Sequence, residues 1–186
     1  MKIIVRVKGS AYSGNFDHAG IPGHQGGSLG VSQANKYASP AEQYSIKRYC
    51  AGGYSQINRY LREGFSVSET ELTATKDYIT NIDRVMPDPK SVIKNPITVS
   101  RDFGYSMEAK LKEMQVGDSF VDNGFTSTSR DLKHGSIKIR VPAGIRAILP
   151  GDLSFYEKEK ELILNRGLRY TIVDNTPGNI ILEVSE

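Results

Sequence analysis

The stretch Tyr156-Glu157-Lys158-Glu159-Lys160-Glu161-Leu162-Ile163-Leu164-Asn165-Arg166-Gly167 runs a series of alternating charges into a short aliphatic segment. Leu162, Ile163 and Leu164 read as a strand, and Asn165-Arg166-Gly167 as the turn that ends it. In an extended chain residues i and i+2 point to the same side. Glu159 and Glu161 therefore present both carboxylates to one cleft at the strand's entrance. Glu157 repeats the spacing one step earlier, but Glu161 directly precedes the aliphatic residues, which selects the Glu159/Glu161 frame. Two other polar groups come before it in the chain. One is Gly124-Phe125-Thr126-Ser127-Thr128-Ser129; the other is Ile97-Thr98-Val99-Ser100-Arg101, an arginine closing a strand-like run.

Outward from these, the chain divides into helices first and strands later. Ser39-Pro40-Ala41-Glu42 has serine at N-cap, proline at N1 and glutamate at N3, which predicts a helix to about Cys50. Gly52-Gly53 breaks it. A second helix is expected from Tyr54 to Arg62, stopped by Gly64. A third starts at Ser68-Glu69-Thr70-Glu71 and carries Leu72, Tyr78, Ile79, Ile82 and Met86 as a broken helical stripe ended by Pro87 and Pro89. Strands are expected over 96–101, 119–127, 135–142, 145–149, 161–165, 168–174 and 178–184, with one helix over 106–114. This order predicts an α+β domain. No Gly-x-Gly-x-x-Gly follows a first strand, so a doubly wound dinucleotide fold is not supported.

The bulk properties bound the function. A chain of 186 residues, 38% hydrophobic and 24% charged, has the composition of one soluble domain with a real core. A net charge of +3 suits an anionic ligand, but no dense Lys/Arg block with interleaved aromatics argues for nucleic acid. The single cysteine, Cys50, excludes an intrachain disulfide and reads as a packing residue. His18, His24 and His134 are not spaced for zinc, and no metal is expected. The start, Met1-Lys2-Ile3-Ile4-Val5-Arg6-Val7-Lys8, is too short and too interrupted for a signal-peptide core, and no stretch is long enough to span a membrane. Residues 1–35 include a glycine-rich stretch expected to be an N-terminal arm, and 36–186 the folded domain.

The ordered set of Arg101, Ser127-Thr128-Ser129 and Glu159-x-Glu161 resembles the signature of the arginine-targeting mono-ADP-ribosyltransferases. Glu159-Lys160-Glu161-Leu162-Ile163-Leu164 is similar to the Glu-x-Glu strand of the clostridial actin-modifying binary toxins. The segment Tyr49-Cys50-Ala51-Gly52-Gly53-Tyr54-Ser55-Gln56-Ile57-Asn58-Arg59-Tyr60-Leu61-Arg62 resembles their Tyr-x-x-x-x-Tyr-x-x-Ile-Asn-x-x-Leu-Arg helix. The arm's Pro22-Gly23-His24-Gln25-Gly26-Gly27-Ser28 resembles an element of some phage head-associated proteins. The toxin resemblance implies two packed, mainly antiparallel β-sheets with an N-terminal helical lobe. It also implies NAD as co-substrate, without metal, and transfer of ADP-ribose to an arginine of a protein substrate through an oxocarbenium-like transition state.

The same resemblance assigns roles. Glu161 would hydrogen-bond the ribose 2′-hydroxyl and stabilise the developing cation, Glu159 would pair and deprotonate the acceptor guanidinium, and Ser127 would orient Glu161. Arg101 and Arg140 would hold phosphate or the ribose, since a planar fork of donors suits paired oxygen acceptors. Tyr49, Tyr54, Asn58, Phe125, Thr128 and Ser129 would border the NAD site, and Phe155 and Tyr156 the acceptor. The reading favours a monomer, with the oligomeric state left open, acting in the cytoplasm of a target or host cell and delivered as a toxin or effector or with a phage particle. NAD glycohydrolysis and a non-catalytic particle-associated module stay open as alternatives at this point.

Overall fold

Ser39 and Glu42 close the capping box: Ser39 N–H donates to Glu42 Oε2 at 2.7 Å, and Ser39 Oγ accepts from Glu42 N–H at 3.5 Å. Helix α1, Pro40–Arg48, starts there. The computed structural model describes residues 29–64, 68–155 and 160–186. The glycine-rich stretch up to residue 28, the candidates Tyr156 and Glu159, and Glu157 lie outside these residues. Past α1 the chain widens into a turn at Tyr49–Gly53, in which Gly52 takes φ 98, a left-handed conformation open to glycine. Helix α2, Tyr54–Glu63, ends at Gly64, whose N–H returns to Tyr60 O at 2.8 Å. Helix α3, Glu69–Val85, buries Ile79, Ile82 and Val85 along one face. The wide turn between α1 and α2 drives Tyr49 and Cys50 inward, both buried in the core of this helical lobe.

Among the described residues eight strands follow, with helix α4, Tyr105–Glu113, between the first two. They are β1 Ile97–Arg101, β2 Ser119–Asp122, β3 Thr126–Ser129, β4 Ile137–Val141, β5 Ala147–Ile148, β6 Glu161–Leu164, β7 Leu168–Thr176 and β8 Asn179–Ser185. Their order is β2-β7-β8-β4-β1-β3-β6-β5, antiparallel except for the parallel β4/β8 pair. β1 and β3 meet at one residue pair, Ser100 with Ser129. The order is continuous, yet its two halves fold over each other about a shared core. Leu162, Leu164 and Ala147 of one half pack there with Val99, Ile139, Leu182 and Tyr170 of the other. The reverse face of the smaller half, through Ile148 and Ile163, packs on the helical lobe with Phe125. This is the expected α+β architecture of two packed sheets under a helical lobe.

Two expectations shift. The strand expected over 119–127 is two strands, one in each half: β2 pairs β7, and β3 pairs β6. The break falls at Asn123-Gly124, where Gly124 N–H donates to Asp122 Oδ1 at 2.9 Å. Gly124 packs so closely that a Cβ would stand 2.9 Å from both Arg62 Nε and Asn58 Oδ1. Residues 29–35, assigned by sequence to the arm, pack on the body. Val31 and Ala34 are buried, Ala34 N–H donates to Leu149 O at 2.9 Å, and Lys94 N–H to Leu29 O at 3.0 Å. Their main-chain pairing and small apolar side chains outweigh the glycine content that marks the stretch before them.

Candidate active site

The site forms where the two halves of the sheet join. Ser129 pairs with Glu161 across β3/β6, and Ser127 with Ile163, so alternation puts Ser127, Ser129 and Glu161 on one face. Ser127 Oγ donates to Glu161 Oε1 at 2.6 Å. Ser154 Oγ, from the loop before β6, donates to the other oxygen, Oε2, at 2.9 Å. The Ser127 bond has the short length of one to a charged acceptor, and the Ser154 bond is of ordinary length. Beside Glu161 opens a cleft of about 210 Å³, walled by Gln33, Arg130, Leu149, Asp152, Ser154 and Lys160.

Arg101 reaches the site from the end of β1. One guanidinium nitrogen donates to the main-chain carbonyl of Ser127, and the group lies 5.2 Å from the centre of the Phe103 ring. Its Nε is buried with no hydrogen-bond partner. The loop 130–136 braces it: a Cβ on Gly135 would lie 2.4 Å from Arg101 N, a contact that no larger residue could make without moving the strand. Ser136 N–H and Oγ hold Asp102 Oδ1 at 2.8 and 2.9 Å. Lys138 Nζ ties the loop back through the carbonyls of Leu132 and Gly135.

From the helical side, Asn58 Nδ2 donates to Tyr49 Oη at 3.1 Å, and Tyr49 donates on to Phe125 O at 3.2 Å. Phe125 stands edge-on to Tyr49, ring centres 5.9 Å apart. Tyr49 and Phe125 are fully buried, so they back the cleft and do not line it. Burial pushes the Tyr49 hydroxyl well above its ordinary value, which keeps it a neutral donor. Tyr54 is exposed and sits 6.3 Å from Tyr49, ring to ring. Asn58 Oδ1 is buried without a partner.

Cys50 is buried in the helical lobe close to the same carboxylate. Burial first, then the Glu161 charge, push its thiol far above the ordinary range. A raised thiol stays protonated at neutral and mildly alkaline pH, and the thiolate is the reactive form. Native protein at pH 8 should resist a thiol-disulfide reagent, and protein in guanidinium should react with one equivalent. Rapid stoichiometric labelling of the native chain would contradict this environment.

The remaining candidates are placed differently. Thr128 faces the inter-sheet core, donating to Leu162 O at 2.7 Å, because it alternates with Ser127 and Ser129. Its side chain is thus turned away from the Glu161 face, against the expected cofactor contact. Arg140 is on β4, opposite Thr98 of β1, so that β1 stands between it and β3. Phe155 is exposed, with Lys47 Nζ 5.2 Å from its ring centre. The sequence reading missed Ser154, the burial of Cys50 close to Glu161, and the ion pair of Arg62 with Asp122, both of whose bonds are 2.8 Å. The serine next to Phe155 was the available signal, since the hydroxyl precedes the acidic turn. Among the described residues no cluster of three or more His, Cys, Asp or Glu is placed to hold a metal, and no helix is long and apolar enough to cross a membrane.

Two folded sheet halves, a helical lobe over one face, and an Arg, Ser-Thr-Ser and Glu set at their junction define the fold of the ADP-ribosyltransferase toxins. The chain belongs to the ADP-ribosyltransferase exoenzyme family, whose model matches residues 25–183. The chain is 26% identical over 159 residues to the NAD(+)–arginine ADP-ribosyltransferase EFV of Enterococcus faecalis, a match covering 78% of this chain and 31% of that protein. The chain thus spans about a third of that relative. Plx2a, an ADP-ribosyltransferase toxin from Paenibacillus larvae, superposes with a TM-score of 0.65 at 22% identity, over 82% of this chain and 89% of its own. The ADP-ribosylating toxin BECa of a C. perfringens binary enterotoxin, solved with NADH, gives 0.65 at 22%, over 81% and 44%.

Proposed function

We propose that the chain is an NAD-dependent mono-ADP-ribosyltransferase that transfers ADP-ribose to an arginine of a protein substrate and releases nicotinamide. The observation that carries this reading is Glu161, a carboxylate held on both oxygens by hydroxyls, one of them from Ser127, whose carbonyl Arg101 binds. Arg101 Nε and Asn58 Oδ1 are buried near this site without hydrogen-bond partners, polar capacity that the protein's own groups leave unused. The relative named as an NAD(+)–arginine transferase and the BECa structure with NADH support the same choice.

The chemistry follows from the residues. The bond between ribose C1′ and nicotinamide breaks, and its electron pair leaves with the neutral nicotinamide. Positive charge grows on the ribose, and Glu161 supplies the fixed negative charge that this transition state needs. Ser127 and Arg101 hold the carboxylate and the strand end in register. The acceptor nitrogen then bonds C1′ and loses its proton to Glu159. Phe155 and Tyr156 come shortly before Glu159 in sequence, where an acceptor loop would contact the partner protein.

The test is product identity. With NAD and agmatine as a free guanidinium, the wild-type chain should yield ADP-ribosyl-agmatine by mass spectrometry. Glu159→Gln should keep releasing nicotinamide while the agmatine adduct disappears. Free ADP-ribose as the only product, with or without agmatine, would make the chain a glycohydrolase. Equal loss of both products in Glu159→Gln would overturn the division of labour between the two glutamates.

A further inference from the structure

Glu161 Oε2 is held by a residue outside the Arg, Ser-Thr-Ser and Glu-x-Glu set. Ser154 is buried, 8% exposed, and its Oγ lies 2.9 Å from that oxygen. It ends the single turn Gly151–Leu153, which is closed by Ser154 N–H to Gly151 O at 3.0 Å. The turn is itself pinned by the N-terminal segment. Gly151 packs so close to Gln33 that a Cβ would sit 2.9 Å from Gln33 Cδ, and Asn35 Nδ2 donates to Asp152 Oδ2 at 3.3 Å. Ala34 N–H bonds Leu149 O at 2.9 Å. The turn that carries the donor is thus held by residues 33–35, which lie outside β3 and β6.

One hydrogen bond leaves a carboxylate free to swing about its side-chain torsions. Two bonds from opposite sides, one to each oxygen, leave it a single orientation. Cys50 is buried nearby, but a thiol is a weak donor. We propose that Ser154 is a positioning residue for Glu161: with Ser127 it forms a two-hydroxyl clamp that sets the carboxylate plane before substrate arrives. The inference rests on the role given to Glu161 under the proposed function.

Steady-state nicotinamide release, NAD binding by calorimetry and high-resolution crystal structures of wild type, Ser154→Ala, Ser154→Thr and Ser154→Cys test it. Ser154→Ala should lower kcat about 10-fold, the scale of a lost bond to a charged group, with KM and the NAD Kd within about twofold of wild type. Ser154→Thr, which keeps the hydroxyl, should restore most of kcat. Combined with Ser127→Ala, the loss should be less than the product of the single losses, because both bonds restrain one group. The Glu161 carboxylate should occupy more than one rotamer in Ser154→Ala crystals and one in wild type. If Ser154→Ala does not fold, Ser154→Cys carries the comparison, with a kcat between those of wild type and Ser127→Ala.

Wild-type kcat in the alanine variant with Glu161 in one rotamer would overturn the clamp, as would a loss confined to KM and Kd. Wild-type protein that releases no nicotinamide, yet shows the rotamer change on substitution, would retain the clamp and remove the proposed function instead.

Discussion

Glu161→Gln is expected to lower nicotinamide release by about 10²–10³-fold, the effect of losing one preorganised electrostatic group at a developing charge. The substitution keeps the shape. The amide oxygen can accept from Ser127, the amide nitrogen can donate to Ser154 Oγ, and both contacts survive with the charge gone. Binding of NAD and the melting temperature should therefore change little while kcat collapses, in hydrolysis and in transfer alike. Measuring nicotinamide by chromatography at saturating NAD gives the answer. A variant retaining more than about a tenth of wild-type kcat would mean that Glu161 is not the charge at the reacting carbon.

Asp122→Ala is expected to carry the largest stability cost of any single change near the site, about 3 kcal/mol. Asp122 accepts two bonds from Arg62, at 2.8 Å each, one from Gly124 N–H at 2.9 Å, and one from Thr126 Oγ1 at 3.4 Å. Its side chain is 9% exposed and that of Arg62 is 38% exposed. Truncation strands the Gly124 N–H and leaves Arg62 without its carboxylate, but solvent at Arg62 screens part of the loss, which puts the cost at the low end for a broken buried pair. For a chain of this size that lowers the melting temperature by about 6–12 °C. Activity should fall with it, because the Asn123-Gly124 turn launches β3 and hence Ser127. A shift smaller than about 2 °C would show that the ion pair does not hold the β2/β3 corner.

The helices were the most legible part of the chain because their signals are local. The Ser39/Glu42 box, the Gly64 stop and the apolar face of α3 each follow from a few neighbouring residues. The aliphatic residues after Glu161 marked β6 for the same reason, and the hydrogen bond between Ser127 and Glu161 lies where the motif order puts it. What stayed hidden depends on contacts across the chain. Nothing local shows that β2 and β3 belong to different sheet halves, since Asn123-Gly124 also fits a bulge within one strand. Alternation could have turned Thr128 away from Ser127, but the matched triplet read as one unit. The inward turn of Tyr49 and Cys50 arises from the wide bend at Gly52, which sequence registers only as a break. Ser154 reaches Glu161 because residues 33–35 pin its turn, a pairing between distant segments that no short motif records.

The measurement that tests the central claim most directly is nicotinamide release from NAD by the purified chain, followed over time with and without agmatine. The account predicts release that rises when agmatine is added. No release above the uncatalysed rate in either condition, from folded protein, would contradict it.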